Sequence, residues 1–175
     1  LHFLQPAPDA MVLDCGCGGG ANIKTLLKRC PKGKVQGIDY SAVSVEKARK
    51  VNASAIAAGQ CTVQQASVAE LPFEAERFDV VTAFETVYFW PELAQNFREV
   101  YRVLKPGGTF CGCFYVRGEH KRTDWFVRHI YEKTGFFTPP YETTASLKKR
   151  LEKRYAAVTL GTVKSMVWFV CQKAE

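Results

Sequence analysis

Along this chain, apolar runs of strand length alternate with longer stretches in which apolar residues recur every three or four positions. Met11 to Cys15 (MVLDC) predicts a first strand, and Lys34 to Tyr40 (KVQGIDY) a second. Between them Ile23, Leu26 and Leu27 fall on one face of a helix over Ala21 to Cys30, with Asn22 near its start and Pro31 beyond its end. Ser41 reads as an N-cap, with Ser44 and Glu46 in the first turns of an alanine-rich helix running to about Gly59. Cys61 to Ala66 is a third strand. Arg77 to Glu85 (RFDVVTAFE) is a fourth, and its unbroken apolar run predicts burial on both faces. Pro91 opens a helix through Leu104, Lys105 to Gly108 (KPGG) stops it, and Thr109 to Val116 is a fifth strand. A basic, aromatic helical segment from Arg117 to Lys133 and a proline-bearing loop from Gly135 to Thr144 follow. The chain finishes with a charged helix from Ser146 to Arg154 and an antiparallel hairpin, Tyr155 to Val163 and Ser165 to Lys173, turning at Lys164 and Ser165. Strands alternating with helices predict an α/β fold: a mostly parallel, doubly wound seven-stranded sheet with helices on both faces and a C-terminal antiparallel hairpin.

Composition adds limits to this layout. With 175 residues, 47% hydrophobic and 13% aromatic, the chain has the apolar content for a single well-cored domain spanning 1–175. No apolar run approaches the roughly 20 residues of a membrane-spanning helix, and the N-terminus lacks a basic-then-apolar leader, so a soluble, cytoplasmic protein is expected. Seven cysteines lying mostly in predicted strands and tight turns then read as reduced thiols. The C-x-C pairs Cys15/Cys17 and Cys111/Cys113 would point the same way from a strand without the C-x-x-C turn of zinc sites, so no metal is expected. The formal charge is +7, concentrated toward the C-terminal third. SLKKRLEKR, Ser146 to Arg154, nevertheless has the spacing of a solvated helix face, and no RNA-binding module is visible, so nucleic acid is not the expected partner.

The chemistry is concentrated where the first strand ends. Gly16, Gly18 and Ala21 satisfy the G-x-G-x-x-A spacing of a dinucleotide-binding turn. Asp14, two residues before the first glycine, argues against that ligand, because its carboxylate would repel a pyrophosphate held by the turn. It would attract the ammonium and sulfonium of S-adenosylmethionine. Asp39, closing the second strand, is placed to accept hydrogen bonds from both ribose hydroxyls.

Four segments in order, VLDCGCGGG, GIDYSAVSVEKAR, AELPFEAERFDVV and REVYRVLKPGG, resemble the class I S-adenosylmethionine-dependent methyltransferases, in particular their small-molecule branch. The resemblance covers about Met11 to Phe114 and implies a Rossmann-like sheet whose last strand runs antiparallel. It implies S-adenosylmethionine as cofactor, with Gly16, Cys17 and Gly18 in the turn that holds it, Tyr40 packed on the adenosine, and Phe84 and Glu85 at the strand end facing ligand and substrate. Phe84 fits core packing equally well. Where the family offers the adenine an aspartate in a GDA context, this chain reads Ala66, Ser67, Val68, which leaves Ser67 and the Val68 backbone as the adenine contacts. The short lead before the first strand implies that part of the family's N-terminal helical cap lies upstream of Leu1.

The predicted activity is methyl transfer to an oxygen, nitrogen or carbon of a small molecule. Glu85, Tyr88, Tyr115 and His120 are the candidate bases, none of them singled out by a motif. Val87 to Trp90 and the segment from His120 to Tyr141 are expected to wall the acceptor site, with Arg117, Lys121, Arg122 and Arg128 as basic recognition residues. Thr138 to Tyr141 (TPPY) resembles the motif of amino-methyltransferases but follows the wrong strand, and reads as a loop. No Pro-Cys nucleophile follows the fourth strand. Non-catalytic S-adenosylmethionine binding, and methylation of RNA or protein, remain as alternatives, and no motif specifies oligomeric state.

Overall fold

The computed structural model describes residues 4–90, 92–134 and 141–175. Its strands are β1 (Met11–Cys15), β2 (Lys34–Asp39), β3 (Cys61–Gln65), β4 (Phe78–Phe84), β5 (Leu104–Tyr115), β6 (Ala157–Val163) and β7 (Met166–Gln172). They form one seven-stranded sheet in the order β3-β2-β1-β4-β5-β7-β6. All pairs are parallel except those of β7, which lies antiparallel to both β5 and β6. The helices are α1 (Ala21–Arg29), α2 (Ala42–Val51), α3 (Ala53–Ala57), α4 (Leu93–Val103), α5 (Lys121–Phe126) and α6 (Thr144–Glu152). The strand order reverses direction between β1 and β4, which opens a crevice at their C-terminal ends.

Two core clusters lie on the two faces of the sheet. Val12 and Val80 pack with Ile23, Leu26 and Val45 of α1 and α2, while their neighbours Leu13 and Val81 pack with Phe97 and Val100 of α4 and Leu147 of α6. Alternate residues of β1 and β4 thus serve opposite cores, which is why both strands read as continuous apolar runs.

Departures from the predicted elements have local causes. The helix expected over residues 42–59 breaks at Asn52, whose buried side-chain amide donates to the carbonyls of Gly20 (3.0 Å) and Ala48 (2.9 Å). β5 begins at Leu104 rather than Thr109: Leu104 pairs with Phe78 and Thr109 with Val80, so residues 105–108 bulge, anchored by the 2.7 Å ion pair from Lys105 to Asp79. α6 starts two residues early because Thr143 and Ser146 form a reciprocal capping box. The helix expected from Arg117 starts at Lys121 and continues beyond α5 as a π-helical turn, Val127–Tyr131. The helix expected from Pro91 begins at Leu93 as α4; Pro91 itself, like residues 135–140 of the TPPY loop, lies outside the described residues.

Cys15 and Cys17 do not share a side. Gly16, at φ +71°, turns the chain between them, so Cys15 joins one core and Cys17 the other. All seven thiols are free.

Buried Lys173 holds the end of α4. Its ammonium donates to the carbonyls of Leu104 (2.7 Å) and Tyr101 (3.1 Å) and lies 4.6 Å from the centre of the Tyr101 ring. Lys173→Met keeps the apolar stem and leaves those carbonyls without their donor, so denaturant unfolding should show a loss of about 1–3 kcal/mol with an unchanged m-value. An unchanged midpoint would mean that the cap contributes nothing.

Candidate functional site

The site begins where β1 ends. The amides of Gly16 and Cys17 both donate to the Ile38 carbonyl, at 2.8 and 2.9 Å, folding the turn back against β2. A Cβ on Gly16 would stand 2.0 Å from the Thr86 hydroxyl oxygen, so the turn and the segment after β4 meet at a spacing that only glycine allows. Gly18, at φ +52°, donates its amide to Asp39 Oδ2 at 2.8 Å, and a Cβ there would meet no protein atom within 4 Å. Asp39 Oδ1 accepts from the Ser41 amide at 2.9 Å. One carboxylate thus ties the glycine turn to the start of α2.

These residues form one wall of a cleft of about 690 Å³, a size suited to a cofactor-sized ligand. Gly16, Gly18, Asp39, Tyr40 and Ser44 line one side, Ala66, Ser67 and Val68 the end beyond β3, and Glu85, Thr86, Phe89 and Trp90 the side beyond β4. Trp90 is fixed by edge contacts to Phe97 and a stacked contact to Phe110, whereas Phe89 is half exposed. Asp14, Cys17 and Phe84, expected at the cofactor, do not line this cleft. The Cys17 side chain is turned toward Gly37 and Ile23, and Phe84 packs against the α1–α2 core.

Asp14 is buried within β1. Its Oδ1 accepts a 2.6 Å hydrogen bond from Thr82, while Oδ2 has no hydrogen-bond partner among the described residues. Burial, opposed by the Thr82 bond and assisted by the nearby Asp39 charge, pushes its carboxyl up to about 7.

Glu85 is the strained residue of the cleft. It holds φ +54°, a left-handed backbone that a non-glycine residue rarely adopts, with its amide bound to the Cys113 carbonyl at 2.8 Å. Its carboxylate accepts from the Tyr88 hydroxyl at 3.1 Å, and burial raises its pKa despite that bond. Burial, then the Glu85 charge, keeps Tyr88 protonated well above the usual phenol range. Tyr115 instead donates to Asp124 at 2.8 Å, and it is likewise held protonated, first by burial. The His120 ring caps α5 through Thr123, with Nδ1 2.9 Å from the Thr123 hydroxyl.

Two smaller cavities adjoin. One of about 250 Å³ shares Trp90 with the cleft and is also walled by Tyr88, Phe114, Tyr115 and Tyr141. The other, about 280 Å³, shares Tyr115 and Tyr141 with it and is rimmed by Arg117, Lys121 and Arg128. The two segments expected around an acceptor therefore separate: Phe89 and Trp90 meet the cleft, and the basic helical segment lies two cavities away.

Residues 12–108 match the family described as methyltransferase domain. The chain belongs to the class I S-adenosylmethionine-dependent methyltransferases. It is 32% identical over 135 residues to cycloartenol-C-24-methyltransferase 1 of Oryza sativa subsp. japonica, covering 75% of this chain and 36% of the relative. It is 32% identical over 134 residues to a demethylmenaquinone methyltransferase of Symbiobacterium thermophilum, covering 76% of this chain and 52% of that one. The methyltransferase chain thus spans about a third to a half of the length of these relatives. In fold it superposes on a SAM-dependent methyltransferase from Aquifex aeolicus with a TM-score of 0.73 at 20% identity, covering 98% and 85% of the two chains. It also superposes on the [4+2]-cyclase SpnF with a TM-score of 0.76 at 16% identity, covering 95% and 76%.

The methyltransferase's residues fit S-adenosylmethionine in chemistry. The acceptor carboxylate of Asp39 suits vicinal hydroxyls and the bare Gly18 leaves room for close approach, while Asp14, buried behind the turn, can act on a cationic group only through its charge. Thr86 and Ser44 are cleft residues that sequence reasoning missed. The one available signal for Thr86 was a polar residue directly following Glu85 at a strand end, and Ser44 read only as part of a helix start.

Proposed function

We propose that this methyltransferase moves the methyl group of S-adenosylmethionine to a small-molecule acceptor held against Glu85, Phe89 and Trp90. The observation that carries the reading is Glu85: a strained, exposed carboxylate with a raised pKa on the part of the cleft wall beyond β4. When bound, the cofactor supplies an electrophilic sulfonium methyl. Asp39 would hold the ribose hydroxyls, Ser67 and the Val68 backbone the adenine edge, and exposed Tyr40 would cover the adenosine. Asp14 would set a negative potential near the turn. Phe89 and Trp90 would exclude water beside the acceptor, where a charge is dispersed as the methyl moves. Glu85 would take the proton that the acceptor sheds on gaining the methyl, with Tyr88 fixing its orientation.

The relatives named for cycloartenol C-24 and demethylmenaquinone methylation favour an apolar acceptor. A cytoplasmic location fits the seven free thiols. The SpnF neighbour shows that this fold does not by itself specify transfer, so the reading is tested by turnover. Methyl-labelled S-adenosylmethionine incubated with a metabolite library should label a small apolar compound. Label entering bulk RNA, and falling steeply with salt, would replace this reading with a nucleic-acid one. Tight S-adenosylhomocysteine binding with no acceptor found would favour a non-catalytic role.

Glu85→Gln should lower turnover by about 10²- to 10⁴-fold while leaving S-adenosylhomocysteine affinity nearly unchanged. Because the Glu85 pKa is raised, the wild-type rate should climb with pH through an inflection above the usual carboxylate range. A variant with the wild-type rate would remove Glu85 from proton transfer.

A further inference from the structure

The segment after β5 carries an apolar face that the proposed reaction does not use. Trp125, Phe126, Ile130 and Tyr131 are each between 44% and 55% exposed, on α5 and the π-helical turn that extends it. Phe126 and Ile130 lie one turn apart, Trp125 packs edge-on to Phe126 and stacks on His129, and Val127 between them is buried. The exposed aromatics therefore form one patch rather than scattered singles.

Charge around that patch is sorted by sign. Arg117, Lys121, Arg122, Arg128 and Lys133 are all exposed, and none forms an ion pair among the described residues. The acids of the same stretch are engaged within the protein. Asp124 accepts from the Tyr115 hydroxyl at 2.8 Å and from the Gly118 amide at 3.0 Å, Glu132 binds the Tyr141 hydroxyl, and Glu119 accepts from the Thr144 hydroxyl. Outward, the segment presents aromatic and aliphatic side chains bordered by cations. Lys121 and Arg122 sit one turn ahead of Trp125 and Phe126.

We infer that this face docks on an anionic lipid surface, with Trp125, Phe126 and Ile130 entering the headgroup boundary and the five cations meeting lipid phosphates. Apolar side chains bordered by Lys and Arg are the composition that lies in a membrane interface without crossing it. The charge pattern selects lipid over a second copy of the chain, whose matching patch would bring the same cations together. The cavity rimmed by Lys121 and Arg128 opens beside the patch and adjoins, through Tyr115 and Tyr141, the one that shares Trp90 with the cleft. Docking would set this row of cavities next to the bilayer. The inference uses no feature of the proposed reaction, and its test reads no activity.

The test is co-sedimentation of the full chain with vesicles at physiological ionic strength. Equimolar phosphatidylcholine and phosphatidylglycerol should bind it more than tenfold better than phosphatidylcholine alone, and high salt should release it. Lys121→Gln with Arg128→Gln should weaken binding by about 25-fold, at about fivefold per cation, and Trp125→Ser with Ile130→Ser by a similar factor. Circular dichroism of each variant shows whether it folds, and the wild-type comparison of the two vesicle types decides the matter even if a variant does not. Equal binding to both vesicles, no binding to either, or folded variants that bind like wild type would overturn the inference. So would a stable dimer that Trp125→Ser dissolves.

Discussion

Asp39→Ala should weaken S-adenosylhomocysteine binding by about 2–4 kcal/mol, roughly 30- to 900-fold in dissociation constant, measured by calorimetric titration. Each Asp39 oxygen already accepts one backbone amide, from Gly18 and from Ser41, and each keeps a lone pair for a ligand in the cleft. The substitution therefore removes the proposed ribose contacts and loosens the turn that shapes the cleft. Two effects from one carboxylate predict a drop in melting temperature of the free protein as well. 5′-Methylthioadenosine, which keeps the ribose and lacks the amino acid, should suffer nearly the same loss as the full ligand. A loss confined to the longer ligand would move Asp39 away from the ribose.

Asp14→Asn should have opposite signs in two measurements. A carboxyl raised from 3.8 to about 7 by burial favours the native state below the unfolded value and loses that contribution as pH rises through the native one. Between about pH 4 and 7 the folded protein holds a proton that the unfolded chain has released, so stability of the free protein should fall with rising pH, by an amount on the order of 4 kcal/mol in total. Asp14→Asn removes this slope and should raise the free protein's melting temperature at pH 8. At the same pH, if the buried Asp14 charge acts through the glycine turn on the ammonium as proposed, the substitution should weaken S-adenosylhomocysteine and leave 5′-methylthioadenosine almost unaffected. Equal losses for both ligands would reduce Asp14 to a structural support of β1. A stability curve without that slope would mean that Asp14 ionises as easily in the folded protein as in the unfolded chain.

Much of this architecture was legible because each strand and most helices state their own burial. β1 and β4 are apolar on both faces and read as central strands; Ser41 caps α2 as its sequence suggests, accepting from the Ser44 amide at 3.3 Å. What escaped depends on partners distant in sequence. The break at Asn52 arises from a hydrogen bond to Gly20, 32 residues away, and no local pattern in an alanine-rich helix announces it. The bulge before Thr109 follows from the match to β4. At the cleft, Gly16, Gly18, Asp39, Ser67 and Glu85 were readable because glycine turns and strand-end carboxylates have few other uses. Thr86 was not, since its place is defined by the Cβ that Gly16 lacks. The direction of Cys17 and the isolation of Asp14 Oδ2 depend on side-chain packing, which spacing alone does not encode.

The central claim is that the transferable methyl lies in the cleft beside the segment that follows β4. Isotope-edited NMR on the wild-type protein with S-adenosylmethionine carrying a ¹³C methyl reads that position directly. Nuclear Overhauser contacts from the labelled methyl to side-chain protons of Thr86, Phe89 and Trp90 are the predicted result. Contacts instead to Tyr40 or Ser67, with none to the three residues beyond β4, would place the methyl at the wrong end of the cleft and contradict the account.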